Sequence, residues 1–300
     1  MKVTIAINNY NYADFIVECV SSVIDQTYKN IELIVVDDGS TDNSLNLLKG
    51  NFSDCSLKII SKKNGGQLSA FNEIKGHITG DIVFFLDADD VYKPDYIEKV
   101  VEVYKKNKDI DFVFCAVERF FIDGRKDAVK KYSSDLNMGF SIISTFYSRE
   151  WVGSVTSAVS MRTPLLNKIL PIPFEGDWIT RADDCLVWGS SIFGARKYYY
   201  SEPLILYRVH GENNFYGKKF SNDYLYKRET SIIQLFNYLI NKAGLDKSII
   251  NLISLEFHSR PEKKINILFQ YLSLLKFQKG FLMKVKRAIR LIQIYLKRKY

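Results

Sequence analysis

Short apolar, β-branched runs at 3–7, 31–36, 57–60 and 82–86 alternate with stretches at 14–25, 42–49, 67–76 and 94–105 whose apolar residues recur at helical intervals. This alternation predicts an α/β protein with a mainly parallel, twisted sheet flanked by helices. Beyond it, 112–117 and 156–161 read as strands, and a short helix runs to 170, before the Pro171-Ile172-Pro173 break. A helix covers 182–193, and strands follow near 196–200 and 204–209. The polar, mixed stretch 118–138 reads as a hairpin or a loop. From 222 the pattern is helical, interrupted at Arg260-Pro261. The chain thus divides into an α/β domain over 1–220 and a helical extension over 221–300.

Each early strand ends in polar or glycine-rich residues: Asn8-Asn9-Tyr10-Asn11, Asp37-Asp38-Gly39-Ser40, Lys63-Asn64-Gly65-Gly66 and Asp87-Ala88-Asp89-Asp90. In open α/β sheets, ligands bind outside the carboxyl ends of the strands. The four clusters should therefore meet in one crevice.

Composition adds limits. With 300 residues, 47% hydrophobic, 25% charged, 20 Phe and 19 Tyr, the chain can build a sizeable core. Cys19, Cys55, Cys115 and Cys185 are scattered, without metal-binding spacing, and read as buried apolar residues of a reducing compartment. No run approaches the ~20 apolar residues of a membrane span, and 3–7 is too short for a signal-peptide core. The expectation is a cytoplasmic protein. The net charge of +8 is local: 263–300 holds eleven Lys or Arg and no acidic residue, which leaves 31 basic against 34 acidic residues before it. A nucleic-acid partner is not expected, because the basic feature is an appendage and not a groove.

The acidic cluster is the first candidate for chemistry. Alternate residues of an extended segment point the same way, so Asp87 and Asp89 could face one cation. Their hard oxygens suit Mn²⁺ or Mg²⁺, with waters and phosphates completing the shell. Asp90 could instead cap the helix after Pro94. Asp38 can accept hydrogen bonds from a ribose hydroxyl or a base N–H, while Ser40 or Thr41 starts the next helix. The Lys63–Gln67 loop enters a helix N-terminus, a geometry that suits phosphate. It lacks the Gly-Lys-Ser/Thr of a P-loop, and no GxGxxG follows the first strand.

Together these residues resemble the family 2 inverting glycosyltransferases of the GT-A fold. The likeness runs through Val3-Thr4-Ile5-Ala6-Ile7, Tyr10-Asn11, Gln26-Thr27-Tyr28 and Asp37 to Asp42. It continues through Asn64-Gly65-Gly66-Gln67, Ala70-Phe71-Asn72, Gly80-Asp81 and Phe85 to Asp90, and covers about 1–215. It implies transfer of a sugar, with inversion, from a nucleotide-diphospho-sugar (UDP most commonly) to a saccharide or lipid-linked saccharide, in polysaccharide or glycan biosynthesis. Ile7, Asn8, Asn9 and Tyr10 would line the nucleotide pocket with Asp38, Asn64, Gly65 and Gln67. Asp87 and Ala88 would meet the diphosphate, and Asp87 and Asp89 the metal. Phe71 stands where many members carry Arg, which leaves the diphosphate to the metal, Gln67 and backbone N–H groups. The family's Glu-Asp-x-x-Leu pattern aligns on Arg181-Ala182-Asp183-Asp184-Cys185-Leu186 and makes Asp183 the general base, with Asp184 as the alternative. Tyr207 to Asn213 resembles the segment after that helix, where His210 could complete the metal shell or touch a phosphate. A nucleotidyltransferase is the competing enzyme reading, but Asn8 to Asn11 holds neither Gly nor Lys. A non-catalytic nucleotide-sugar binder is the other reading, and it would not need Asp183 and Asp184.

Near the end, Leu282, Val285, Ile289, Ile292 and Leu296 recur at steps of three and four, with Lys284, Lys286, Arg287, Arg290 and Lys297 largely on other faces. A helix over 279–299 could rest on an anionic membrane surface, at the inner face of the membrane, or form a packing or homodimer face. Leu291 and Ile294 interrupt its polar side. The stretches 118–150 and 210–220 are expected to shape the acceptor site.

Overall fold

The computed structural model describes every residue except 54, 122, 212–218, 262–263 and 298–300. The first part of the chain forms β1 (Val3–Asn9), α1 (Ala13–Ile24), β2 (Ile31–Asp37), α2 (Ser44–Asn51), β3 (Leu57–Ser61), α3 (Gln67–Ile74) and β4 (Ile82–Asp87). Then come β5 (Val91–Tyr92), α4 (Tyr96–Lys106), β6 (Phe112–Phe121), β7 (Lys126–Val129), β8 (Leu136–Gly139), α5 (Ile142–Ser148), β9 (Val159–Arg162) and α6 (Thr163–Ile169). The remainder is α7 (Asp183–Ile192), β10 (Lys197–Val209), α8 (Asn222–Lys242), α9 (Ile253–Ser259), α10 (Ile265–Leu274) and α11 (Phe281–Lys297).

The strands join one sheet in the order β3-β2-β1-β4-β9-β6-β10-β5, with β7 on β6 and β8 on β10. β3, β2, β1 and β4 are parallel. β9 is antiparallel to β4 and β6, and β10 runs parallel to β6. Side chains of β1 divide between two cores. Val3, Ile5 and Ile7 meet α1 and α4 on one face, whereas Ala6 meets α3 and α7 on the other. A strand covered on both faces reads as an unbroken apolar run, which is the pattern of 3–7, 31–36 and 82–86.

Several elements differ from the sequence reading. Thr156–Ala158 forms a 3₁₀ turn and the strand begins only at Val159, which sets Ser157 Oγ against the Asp87 N–H at 3.0 Å. The two strands expected over 196–209 are one, β10, with register shifts around Pro203, where the missing N–H breaks the ladder. The 118–138 stretch is a hairpin of β6 and β7 followed by β8. Cys55 is exposed, unlike the other three cysteines.

The boundary at 220 does not divide the core. Leu235, Phe236 and Leu239 of α8 enter the cluster that holds α7, so α8 belongs to the α/β domain. A separate cluster forms from Ile250, Ile253, Phe257, Leu268, Tyr271, Leu291 and Ile294, and takes in Ile143 of α5. Buried polar links fasten it. Glu256 accepts from the N–H groups of Ile143 at 2.6 Å and Ser144 at 3.0 Å, and from Tyr271 Oη at 2.8 Å. Arg260 pairs with Glu150 at 2.8 Å. Among the described residues no helix is long and apolar enough to cross a membrane.

Candidate active site

The ends of β1, β2 and β4 and the starts of α3 and α7 surround a cleft of about 790 Å³. Asn8, Asn9, Tyr10, Asp38, Asn64, Gln67, Asp87, Asp89 and Asp183 all line it. The polar strand ends do converge. Five predicted residues are not on the lining: Ile7 and Ala88, fully buried with side chains in the hydrophobic core, and Gly65, Asp184 and His210.

The acidic turn begins where β4 stops. Asp90 N–H donates to Asp87 O at 3.1 Å, so Asp89 sits in a turn and not on the extended segment expected, yet it faces the same cleft as Asp87. Asp87 Oδ1 accepts from Asn8 Nδ2 at 3.0 Å and Gln67 Nε2 at 2.9 Å. Burial first, and then the charge of Asp89, push the Asp87 carboxyl up to about 7 despite these bonds. Asp90 caps no helix: the cap position of α4 is Asp95. Instead Asp90 accepts from Ser157 Oγ at 2.5 Å and Arg208 N–H at 2.9 Å, which ties the turn to β10. Tyr12 and Tyr207 line the same cleft, and their hydroxyls are pushed up by burial and then by these aspartates. The local field is strongly negative and favours a bound cation.

β10 delivers His210 to this turn. Its Nε2 lies 3.0 Å from Asp89 Oδ2, and its ring packs 5.0 Å from that of Phe15. Arg208 Nε donates to Asp89 O at 2.8 Å. Among the described residues, no three His, Cys, Asp or Glu side chains form a closed metal-binding group.

The loop after β3 corrects another expectation. Gly65 N–H donates to Asp38 Oδ1 at 3.0 Å and Gly66 N–H to Asp38 Oδ2 at 2.6 Å, while Lys62 Nζ pairs with Oδ1 at 2.7 Å. The next donors meet backbone carbonyls, Gln67 N to Ile179 O at 2.9 Å and Leu68 N to Trp178 O at 3.2 Å. The start of α3 is therefore satisfied from within and is no open phosphate cradle. Gly66 makes this approach possible. It has φ 86°, and a Cβ there would lie 2.4 Å from Ile179 Cα. Asp38 lines the cleft while its carboxylate anchors the loop.

Gln67 is the hinge of the arrangement. Its Nε2 donates to Asp87, and its Oε1 accepts from Ala182 N–H at 2.8 Å, at the start of α7. One amide thus ties the acidic turn to the helix carrying Asp183. The two adjacent aspartates part company there. Asp183 lines the cleft, and burial followed by the charges of Asp184 and Asp87 raises its carboxyl to about 7. Asp184 points behind it, paired with Arg181 at 3.1 Å and with Arg228 of α8, whose guanidinium lies 4.0 Å from the Trp178 ring centroid. Asp184 is thus held in ion pairs and is absent from the cleft lining. Arg181, at φ 61°, holds a left-handed conformation at the cleft edge.

Residues 4–168 match the family model described as Glycosyl transferase family 2, more than half of the chain. The chain belongs to glycosyltransferase family 2. An uncharacterized glycosyltransferase of Nostoc sp. is 33% identical over 247 residues, 80% of this chain and 75% of that one. The S. aureus TarS 1–349 structure in complex with UDP-GlcNAc aligns with a TM-score of 0.60 at 19% identity, covering 92% of this chain and 80% of that one. The mannosyltransferase PcManGT from Pyrobaculum calidifontis, in complex with GDP-Man and Mn²⁺, aligns with a TM-score of 0.51 at 17% identity, over 100% and 87% of the two chains. At these identities the structural likeness establishes the GT-A fold.

In this family 2 glycosyltransferase the acidic turn lies inside the matched region, whereas Asp183 and His210 lie beyond it. Part of the cleft lining was not legible in the sequence: Val117 and Arg119 of β6, Val129 of β7, Trp151 and Thr156. They come from separate segments, and only the extent of 118–150 hinted at them. Residues 212–218 of the other stretch expected there lie outside the described residues. Phe71, in place of the family's Arg, packs its ring 5.1 Å from Phe85; the guanidinium groups on the cleft are those of Arg119 and Arg181.

Proposed function

We propose that the enzyme transfers a sugar, with inversion, from a nucleoside-diphosphate sugar to a hydroxyl of a saccharide or lipid-linked saccharide, in polysaccharide or other glycan assembly. One observation carries the reading: the Gln67 amide bridges Asp87 and Ala182, placing the acidic turn and Asp183 on one cleft. A UDP-sugar is the proposed donor, and TarS, of the same fold, is seen with UDP-GlcNAc. Asn8, Asn9, Tyr10, Asp38 and Asn64 would receive its nucleoside.

The acidic turn fits Mn²⁺ or Mg²⁺. It offers hard oxygens and one imidazole, and the Asp87 carboxyl resists ionisation without a counter-charge. Asp87 and Asp89 would hold the ion with His210 beside them, and diphosphate and water would complete its shell. The ion would neutralise charge on the departing diphosphate. PcManGT, a protein of the same fold, is seen with Mn²⁺.

Asp183 takes the proton from the acceptor hydroxyl. A carboxyl raised to about 7 is matched to that task near neutral pH. Asp184, clamped by Arg181 and Arg228, fixes the orientation of α7 behind it. The acceptor enters against the Trp151 ring, an apolar face that suits a sugar ring, beside Arg119, which is paired with Asp127. A thermal-shift screen of UDP-sugars with and without Mn²⁺ tests the site. Stabilisation that needs Mn²⁺ and disappears in Asp87→Ala/Asp89→Ala is expected; stabilisation unchanged in that variant would refute the assignment.

A further inference from the structure

The last helix has two apolar faces, and the protein covers one. Leu291 and Ile294 of α11 are buried in the C-terminal cluster, with Ala288 and Tyr295 packed beside them. Seven other apolar residues remain exposed: Phe281 at 78%, Leu282 at 83%, Met283 at 43%, Val285 at 40%, Ile289 at 51%, Ile292 at 41% and Leu296 at 51%. At about 100° per residue all of these but Met283 share one arc roughly 100° wide, on a different side from Leu291 and Ile294. Lys286, Lys297 and Arg290 form a row about 40–80° beyond one edge of that arc. The helix is therefore three-sided, with a core face, an exposed apolar face and a basic shoulder. A helix that only packed against its own domain would need the first alone.

We propose that α11 lies in the plane of an anionic lipid surface, with the Phe281–Leu296 arc in the apolar boundary and Lys286, Arg290 and Lys297 at the headgroups. Charge selects this occupant. No acidic residue lies between 263 and 300, so a second copy of the helix would bring one basic row against another without a carboxylate to meet it. The open groove between α9 and α11 has the same character. Lys286, Arg287, Arg290, Ser254 and Gln293 line it with Met283 and Ile289, and among the described residues no carboxylate does. Arg287 donates to the carbonyls of Ile250 and Asn251, which fixes α11 to the body of the protein. An apolar arc bordered by long basic side chains is the form that settles at a headgroup boundary. Such a surface would also bring the cleft to a lipid-linked acceptor, a consequence that rests on the proposed transferase reading.

Vesicle binding needs no turnover, so its failure would leave the catalytic reading standing. The test is co-sedimentation of the full chain with phosphatidylcholine vesicles that contain or lack phosphatidylglycerol, at low and high salt. Binding is expected only to the anionic vesicles, weakening with salt. Lys286→Gln and Arg290→Gln should each weaken it by roughly fivefold, and Leu282→Gln/Ile289→Gln by about tenfold or more. These side chains are exposed, so the melting temperature by circular dichroism should hold. No binding to anionic vesicles at low salt overturns the proposal, as does undiminished binding by Leu282→Gln/Ile289→Gln. So does a dimer, seen by light scattering, that the same double substitution dissolves while vesicles are ignored.

Discussion

Replacing Gln67 with leucine keeps roughly the same volume and removes both polar ends of the side chain. Asp87 then loses a 2.9 Å donor and keeps Asn8 and Thr156, and a hydrogen bond to a charged group contributes about 1.5–3 kcal/mol. The Ala182 N–H loses its 2.8 Å acceptor at a fully buried residue, and an orphaned buried donor costs about 1–3 kcal/mol. Thr156 Oγ1, 3.1 Å from Nε2, can rotate toward cleft water and adds little. Because the cleft admits water to the Asp87 side, the net destabilisation should be about 2–4 kcal/mol. Urea unfolding followed by circular dichroism reads this directly as a lower midpoint at unchanged slope. Turnover should fall further than stability explains, since the start of α7 and the acidic turn lose their common tether. Gln67→Glu separates the two effects. It keeps an acceptor for Ala182 but sets a second carboxylate against Asp87, so donor affinity should suffer more than folding. Wild-type midpoint and wild-type turnover in Gln67→Leu would refute the bridge.

Three further outcomes follow from particular contacts. The pH profile of kcat/KM should fall on the acid side near pH 7, because Asp183 must be ionised and its carboxyl is raised to about 7. Asp87 is one cause of that rise, so added Mn²⁺ should move the limb to lower pH; a limb fixed near the usual carboxylate range would contradict the base. Glu32 is held at about 2: burial opposes this, and hydrogen bonds from Thr4, Thr79 and Lys2 override it. Its contribution is complete above the unfolded value near 4.5 and is lost as pH falls toward about 2. Allowing for partial exposure it is about 1–2 kcal/mol. Thr4→Val should raise the midpoint of acid unfolding, and an unchanged midpoint would count against the Glu32 network. Arg228→Met breaks a buried ion pair while leaving Arg181 on Asp184, so equilibrium unfolding should show a loss of about 2–4 kcal/mol, below the full cost of stranding a buried charge.

The half of the site built by local chain order was legible, and the half built by tertiary contact was not. A buried parallel strand is an apolar run, and its polar end must surface at the ligand edge. Asn8, Asp38, Asp87 and Asp89 were therefore readable before any coordinates. Asp183 and Asp184 are neighbours on one helix, and the pairing of Asp184 with Arg228, from α8, is a tertiary contact that the sequence does not show. The start of α3 looked like a phosphate cradle because its partners, Asp38 and the carbonyls of Trp178 and Ile179, come from elsewhere. Arg119 and Trp151 carry no local signal at all. In α11 the apolar stripe is regular in the sequence, yet Leu291 and Ile294, which interrupt its polar side, are the residues buried against the protein.

The proposed glycosyl transfer depends on Asp183 as its base. The direct measurement is Asp183→Asn, assayed side by side for transfer from the UDP-sugar that stabilises the wild type and for stabilisation by that donor with Mn²⁺. The amide keeps the shape and cannot take the proton, so turnover should drop by about 10²–10⁴-fold while the donor-induced shift in melting temperature persists. Turnover within a few fold of wild type would contradict the assignment, and with it the claim that this cleft performs the reaction as described.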